Sequence, residues 1–217
     1  MVIISLPDIH GDVHFLSRIA GELDKADLVV LPGDLTTFGR RHVAAEVLQA
    51  VRKHCPMVYA VSGNCDYPDV DDYLTEEDVN LHGNKRSFGG ITFYGLGGSL
   101  PCPNRTANEF TEAELKGALA SAAAGMTSET RSVLVSHEPP YGTATDLTTD
   151  GAHAGSRAVR AFIEEYQPLV CFTGHIHEAR AIDSIGQTKV VNPGPLRGGG
   201  YAYAVLSTEL ELLEIRR

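Results

Sequence analysis

The first hydrophobic run of the chain, "VIISL" (Val2 to Leu6), stops abruptly at Pro7-Asp8. Its β-branched residues predict a buried strand. The next segment, "VHFLSRIAGELD", sets Leu16, Ile19, Ala20 and Leu23 at helical spacing and predicts a helix with one apolar face. "LVVL" (Leu28 to Leu31) predicts a second strand. Residues Arg41 to His54 predict a second helix through Val43, Val47, Ala50 and Val51, and "MVYAV" (Met57 to Val61) predicts a third strand. Strand and helix alternating in this way mean a largely parallel α/β beginning.

The pattern then changes. "VNLHGNKRSFGGITFYGLGGSL" alternates around Gly89-Gly90 and predicts a hairpin. "TEAELKGALASAAA" carries Thr111 with Glu114 three residues on, the pattern of a capping box before a helix. "SVLVS" predicts a strand, Ser156 to Tyr166 a helix and "LVCFT" another strand. "TKVV", "YAYAVLS" and "LELLEI" predict antiparallel strands at the end of the chain. No internal repeat, low-complexity tract or linker interrupts this order. The prediction is a single domain, residues 1–217, with two sheets and flanking helices.

Each buried run ends on a polar signature. "VIISL" leads into Asp8-Ile9-His10, "LVVL" into Gly33-Asp34, and "VYAV" into Gly63-Asn64. "SVLV" leads into Ser136-His137, and "LVCF" into Gly174-His175-Ile176-His177. Ligands of open α/β sheets bind beyond the carboxyl ends of the strands, so these endings are expected to converge on one edge. The set comprises the side-chain oxygens of Asp8, Asp34 and Asn64 and the imidazoles of His10, His137, His175 and His177. Residues at i and i+2 share one side of extended backbone, which suits Asp8 with His10 and His175 with His177. No serine elbow or phosphate-cradling glycine loop competes with a metal reading. These are too many ligands for one ion, and two ions sharing a carboxylate would use them all. Imidazole and carboxylate without thiolate suit Mn, Fe, Zn or Ni rather than Ca or Mg.

Charge narrows the substrate. The net charge of −10 repels polyphosphate backbones, so bulk nucleic-acid binding is not expected. Cys55, Cys65, Cys102 and Cys171 are scattered without a C-x-x-C pair, which argues against a disulfide framework or a cysteine zinc site. The N-terminus lacks the basic region of a signal peptide, and no apolar run is long enough to span a membrane. A cytoplasmic location with no membrane partner is the expectation. The late β-rich segment leaves an oligomer open, through pairing across a dimer edge.

D-x-H, G-D, G-N, H and G-H-x-H in this order resemble the calcineurin-like metallophosphoesterase superfamily, across essentially the whole chain from Asp8 to "VVNPGPLRGGGYAYAVL". "YGLGGS", "HEPPYGTATD", "HAGSRAVRAFIEE" and "GHIHEA" are most similar to its Icc-related predicted phosphoesterases. The resemblance implies an α/β fold, a four-layer αββα sandwich of two mixed sheets flanked by helices. It implies two divalent transition metal ions, manganese first. Asp8, His10, Asp34 and His177 would hold one ion. Asp34, Asn64, His137 and His175 would hold the other, with Asp34 as the bridge. The implied activity is hydrolysis of a small phosphodiester by a metal-bridging hydroxide, with Asp34 and Asn64 in the catalytic set.

One position departs from the family pattern. Many members carry His after the Asn, thought to stabilise the transition state or protonate the leaving oxygen. Here "GNCD" places Cys65 there, a variant shared by a smaller phosphodiesterase-like branch. Cys65 is expected to pack beneath the metal loop. His153, in "TTDGAHAGS", is the candidate replacement acid. Ser156 is a candidate phosphate contact as well as a helix cap, and Arg105, in "GSLPCPNRTANEF", a candidate phosphate contact on a lid. His14, His42, His54 and His82 are expected at the surface. Two other functions stand beside the diesterase. One is a phosphomonoesterase. The other is a non-catalytic protein-binding scaffold, as in a retromer subunit of similar fold; ligand loss would mark it, and here all the ligands are present.

Overall fold

The computed structural model describes residues 1–127 and 130–217. In chain order the strands and helices are β1 (Val2–Ser5), α1 (Ala20–Leu23), β2 (Leu28–Pro32), α2 (Arg41–Arg52), β3 (Val58–Val61), α3 (Pro68–Glu76), β4 (Lys85–Phe88) and β5 (Ile91–Leu96). There follow α4 (Glu112–Ala122), β6 (Ser132–Ser136), α5 (Arg157–Tyr166), β7 (Val170–Phe172), β8 (Ala181–Ile185), β9 (Thr188–Asn192), β10 (Tyr201–Leu206) and β11 (Leu210–Arg216). One sheet runs β11-β10-β1-β2-β3 and the other β4-β5-β6-β7-β9-β8. β1, β2 and β3 are parallel, as are β5, β6, β7 and β9. β10, β11, β4 and β8 pair antiparallel at the flanks.

The period-2 alternation of strand side chains sorts the apolar residues into layers. Ile3, Val30 and Val61 point inward to meet Phe93, Val133, Val135 and Phe172 between the sheets. Their neighbours Ile4, Val29, Leu31 and Ala60 point outward against Val47, Leu48 and Val51 of α2 and Val70 and Leu74 of α3. On the far side Tyr94, Leu134 and Cys171 pack on Leu115 and Leu119 of α4 and Val159, Phe162 and Ile163 of α5. The result is helix, sheet, sheet, helix, as expected. Strands buried on both faces explain the unbroken apolar runs of the sequence.

The capping box of α4 forms: Glu114 N–H donates to Thr111 Oγ1 at 3.3 Å, and Thr111 N–H to Glu114 Oε2 at 2.8 Å. The first helix differs from expectation. It is mostly a 3₁₀ turn (His14–Ile19) closing into the single α turn of α1. Leu16 and Ile19 are three apart, the repeat of a 3₁₀ helix, and both are buried. Two elements escape the hydrophobic pattern, α3 and the edge strand β8. Among the described residues no helix is long and apolar enough to cross a membrane.

Candidate metal centre

The loops after β1, β2, β3, β6 and β7 meet at one edge of the two sheets. Parallel pairing continues past the ends of the first two strands. Asp8 N–H donates to Gly33 O at 3.1 Å, and His10 N–H to Asp34 O at 2.9 Å. The D-x-H and G-D segments therefore run side by side. Gly33 and Gly63 make the approach of the next loops possible. A Cβ on Gly33 would lie 2.4 Å from His137 Nδ1, and one on Gly63 would lie 2.1 Å from Asp34 Oδ1. Asp8, His10, Asp34 and His175 all hold left-handed backbone, with φ of 53°, 54°, 50° and 68°. For residues with a Cβ this costs about 1–2 kcal/mol each. Strain gathered on four candidate ligands is characteristic of functional loops.

Asp34 stands at the middle of the site. Its Oδ1 accepts the Cys65 N–H at 2.8 Å and lies 3.6 Å from His137 Nε2. Its Oδ2 lies 3.8 Å from His10 Nε2. Both histidines have their other nitrogen engaged with a backbone carbonyl. His10 Nδ1 donates to Thr36 O at 3.3 Å, and His137 Nδ1 to Pro32 O at 2.9 Å. A carbonyl only accepts, so in neutral rings both Nε2 atoms carry lone pairs. His137 Nε2 then faces Asn64 Oδ1 at 2.8 Å, and His10 Nε2 faces His177 Nε2 at 3.2 Å. Nε2 of His137 and Asn64 Oδ1 are then two lone-pair donors in contact, an arrangement that a cation between them would relieve. This donor set fits divalent metal ions.

Among the described residues, three groups of side chains bring donor atoms within 4.8 Å of one another: Asp8-His10-His177, Asp8-Asp34-His137 and His10-Asp34-Cys65. Asp34 joins the last two. His175 belongs to none of them. Its N–H donates to the Asp8 carboxylate at 3.2 Å, while Nε2 is turned away toward Cys102 Sγ and Glu138 Oε2, each at 3.9 Å.

Burial favours neutral imidazoles here. It pushes His175 down to about 3, assisted by His137, and it lowers His10. His177 moves the other way through its contact with Asp8. Burial works to raise Asp8, but His177, His137 and His10 together outweigh it and hold the carboxyl below its ordinary value.

Cys65 is not beneath the loop. Its sulfur shares a cluster with His10 and Asp34. Burial and the Asp34 charge push its thiol well above the ordinary range, which disfavours a nucleophilic thiolate. The next residue, Asp66, is wholly buried and accepts four hydrogen bonds: from Leu35 N–H, Thr36 N–H, the Thr36 hydroxyl and Gly63 N–H. It staples the Asp34 loop to the Asn64 loop. Burial and Asp34 push its carboxyl up to about 6.

His153 sits on a loop whose Thr149 N–H and hydroxyl donate to Glu178, the residue after His177. Its Nδ1 donates to Asp146 Oδ1 at 2.8 Å, and the side chain is 38% exposed, which leaves Nε2 open to a ligand. Asp146 is fully buried and also accepts the N–H groups of Gly142, Thr143 and Gly155. The arrangement is a carboxylate that orients an imidazole.

Ser156 is the cap of α5 and not a free contact. Its buried hydroxyl accepts from Ala158 and Val159 N–H and donates to Glu112. Arg105 is exposed, but its loop is fastened rather than lid-like. Ala107 and Asn108 N–H both donate to Asn64 O, at 3.0 and 3.1 Å. The same loop carries Cys102 to His175. Of the remaining histidines, His54 pairs with Asp24. His82 is half-buried, accepting the Gly97 N–H and stacking on Phe110. Sequence reasoning passed over Asp66, Cys102, Glu138 and Asp146. Asp66 and Glu138 stand close in the chain to candidate ligands, two residues after Asn64 and one after His137, but that position alone does not tell that they are buried.

The sequence model described as the calcineurin-like phosphoesterase superfamily domain matches residues 1–211. The uncharacterized protein MJ1162 of Methanocaldococcus jannaschii is 36% identical over 199 residues, covering 90% of this chain and 88% of its own. Among solved structures, TT1561 of Thermus thermophilus superposes with a TM-score of 0.75 at 21% identity, over 99% of this chain and 97% of that one. A dimetal phosphatase from Danio rerio superposes with a TM-score of 0.62 at 13% identity, over 100% of this chain and 96% of that one. Both solved structures share the fold.

Proposed function

The chain belongs to the calcineurin-like phosphoesterase superfamily, and from that membership we propose a dinuclear metal-dependent hydrolase of a small phosphodiester. The observation that carries this reading is Asp34. Its carboxylate lies between two imidazole Nε2 atoms whose rings are tied through Nδ1 to backbone carbonyls. Asp8, His10, Asp34 and His177 would hold one ion, and Asp34, Asn64, His137 and His175 the other. Bound divalent ions would supply Lewis acidity toward phosphoryl oxygens and lower the pKa of water; mixed imidazole and carboxylate suit Mn, Fe, Zn or Ni, and manganese is the ion tried first.

The chain's own groups do the positioning. The Cys65 N–H fixes the Asp34 carboxylate, and the Asp66 staple sets the spacing of the Asp34 and Asn64 loops. His153, oriented by Asp146, is the group suited to give a proton to a leaving oxygen through Nε2. Arg105 offers an exposed guanidinium beside the loop that binds Asn64. Near neutrality a diester carries one negative charge and a monoester close to two. The strongly acidic chain favours the first.

The test is hydrolysis of bis-p-nitrophenyl phosphate against p-nitrophenyl phosphate, with the chelated protein and with added Mn²⁺. Metal-dependent turnover, faster on the diester, is expected. Full turnover by chelated protein would overturn the metal mechanism. Faster cleavage of the monoester would make this a phosphatase.

A further inference from the structure

Phe38 stands four residues beyond Asp34 and belongs to neither candidate ligand set. Its ring is 49% exposed, the most exposed large apolar side chain among the described residues. Its backbone is left-handed, with φ of 51°. A bulky side chain is an outlier there, whereas Gly or Asn would hold the same turn at ease. A single ring in water needs no explanation on ordinary backbone. Here exposure and backbone strain fall on one residue, and packing offsets neither, because Phe38 lies in none of the apolar layers. The turn that presents it is fixed to the metal centre. Phe38 N–H donates to Cys65 O at 2.9 Å, and Cys65 N–H in turn holds Asp34 Oδ1. Thr37 Oγ1 donates to His10 O at 3.3 Å. Gly39 N–H donates to Thr36 Oγ1 at 3.1 Å, and Thr36 is itself bound to Asp66. The ring is therefore carried beside the His10-Asp34-Cys65 cluster on a turn tied to both neighbouring ligand loops.

We propose that Phe38 is a specificity-determining residue, which stacks on a planar aromatic group of the phosphoester while the phosphate lies at the metal centre. The inference rests on the phosphoesterase reading of the site and names a class of substrate for it. A lone ring on a fixed turn offers one flat apolar face. A rigid planar group covers such a face with little loss of freedom, whereas an alkyl chain gives up its rotamers to lie on it. Ring pairs gain further from offset or edge-on geometry. The net charge of −10 disfavours a polynucleotide, so the aromatic group belongs to a small molecule.

The experiment compares wild type with Phe38→Asn, which suits left-handed backbone and loses the ring, and with Phe38→Tyr, which keeps it. Diphenyl phosphate and dicyclohexyl phosphate carry the same charge and similar bulk, but only the first has flat groups. Each is measured as a competitor of bis-p-nitrophenyl phosphate hydrolysis by the Mn²⁺-loaded proteins, and metal-free thermal unfolding is recorded. Wild type is expected to bind the diphenyl ester more tightly. In Phe38→Asn that preference should fall about two- to tenfold, the worth of a ring pair beyond its buried area. Metal content should stay constant, and metal-free Phe38→Asn should melt no lower than wild type, because backbone strain is relieved. Phe38→Tyr should keep the preference. An unchanged preference in Phe38→Asn, or a lost one in Phe38→Tyr, would overturn the proposal. So would a lower metal-free melting temperature or failure to fold in Phe38→Asn, the mark of a merely structural ring, and so would active wild type without the preference. Wild-type protein that leaves bis-p-nitrophenyl phosphate intact in Mn²⁺ would remove the phosphoesterase reading and this inference with it, and that control alone tells the one failure from the others.

Discussion

Asp66 accepts two hydrogen bonds from Thr36, one from the N–H and one from the hydroxyl, each at 2.8 Å. With Leu35 and Gly63 N–H on its other oxygen, a single side chain satisfies three buried backbone donors. Asp66→Ala would leave these donors without partners. An unmade buried hydrogen bond costs about 1–3 kcal/mol, so a loss of about 3–5 kcal/mol in the metal-free protein is expected. Urea unfolding measures it. A loss below about 1 kcal/mol would mean that the loops hold each other without the staple.

Asp34→Asn separates charge from shape. The amide oxygen can still accept the Cys65 N–H, so the loop should stay in place. The negative charge shared between His10 and His137 is lost. Occupancy of both ions should fall, and activity should drop at least about a hundredfold, since even outer partners of a ligand are worth 10–100-fold in metal affinity. Asn64→Ala should deplete mainly one ion. Metal analysis of the purified variants decides. Two full ions in Asp34→Asn would contradict a bridging carboxylate.

The pair of Asp146 and His153 predicts a dependence on the leaving group. His153→Ala removes the imidazole without touching a candidate ligand. Metal content should therefore stay constant. Turnover on diesters of basic alcohols should fall by about 10²–10⁴-fold, and far less on nitrophenyl diesters, whose leaving groups depart as stable anions. A flat response across leaving groups would strip His153 of the acid role. Asp146→Ala is the poorer probe, because the N–H groups of Gly142, Thr143 and Gly155 also depend on it.

Cys65 tests the opposite case. Its backbone N–H serves Asp34, and its thiol is held neutral by burial and by the Asp34 charge. Cys65→Ala and Cys65→Ser should change nitrophenyl diester turnover little at matched metal content. Cys65→His, which adds a donor, should help diesters of basic alcohols more than nitrophenyl diesters. Abolished turnover in Cys65→Ala with both ions retained would make the thiol a working part of the reaction.

The candidate ligands were legible because short-range signals place them. An apolar run fixes each strand, and the polar residue at its end is carried to the shared edge by parallel pairing. α3 was illegible because Asp69, Asp71 and Asp72 interleave with the buried Val70, Tyr73 and Leu74; Pro68 at its first turn was the missed sign. β8 is an edge strand whose Ile182 is exposed, so hydrophobic contrast fails there. Asp66 and Asp146 read as turn residues until their buried contacts are known. For Asp66 those contacts lie about thirty residues away in the chain. Glu138 is harder still, since nothing local distinguishes a buried Glu after a candidate ligand from an exposed one.

The left-handed backbone at Asp8, His10, Asp34 and His175 also bears on how such a site can change by mutation. A single base change turns an Asp codon into one for Asn, Gly or Val. Asn and Gly are at ease in that conformation, whereas Val is not. Each of the three removes a candidate carboxylate ligand, but only Asn keeps both the backbone conformation and an oxygen to accept the Cys65 N–H at Asp34 or the His175 N–H at Asp8. A lineage descending from this chain could therefore give up the candidate metal centre one codon at a time and keep the sandwich, provided it travelled through Asn. A mutational scan that used Val at Asp8 or Asp34 would record the collapse of a loop and mistake it for the loss of an ion.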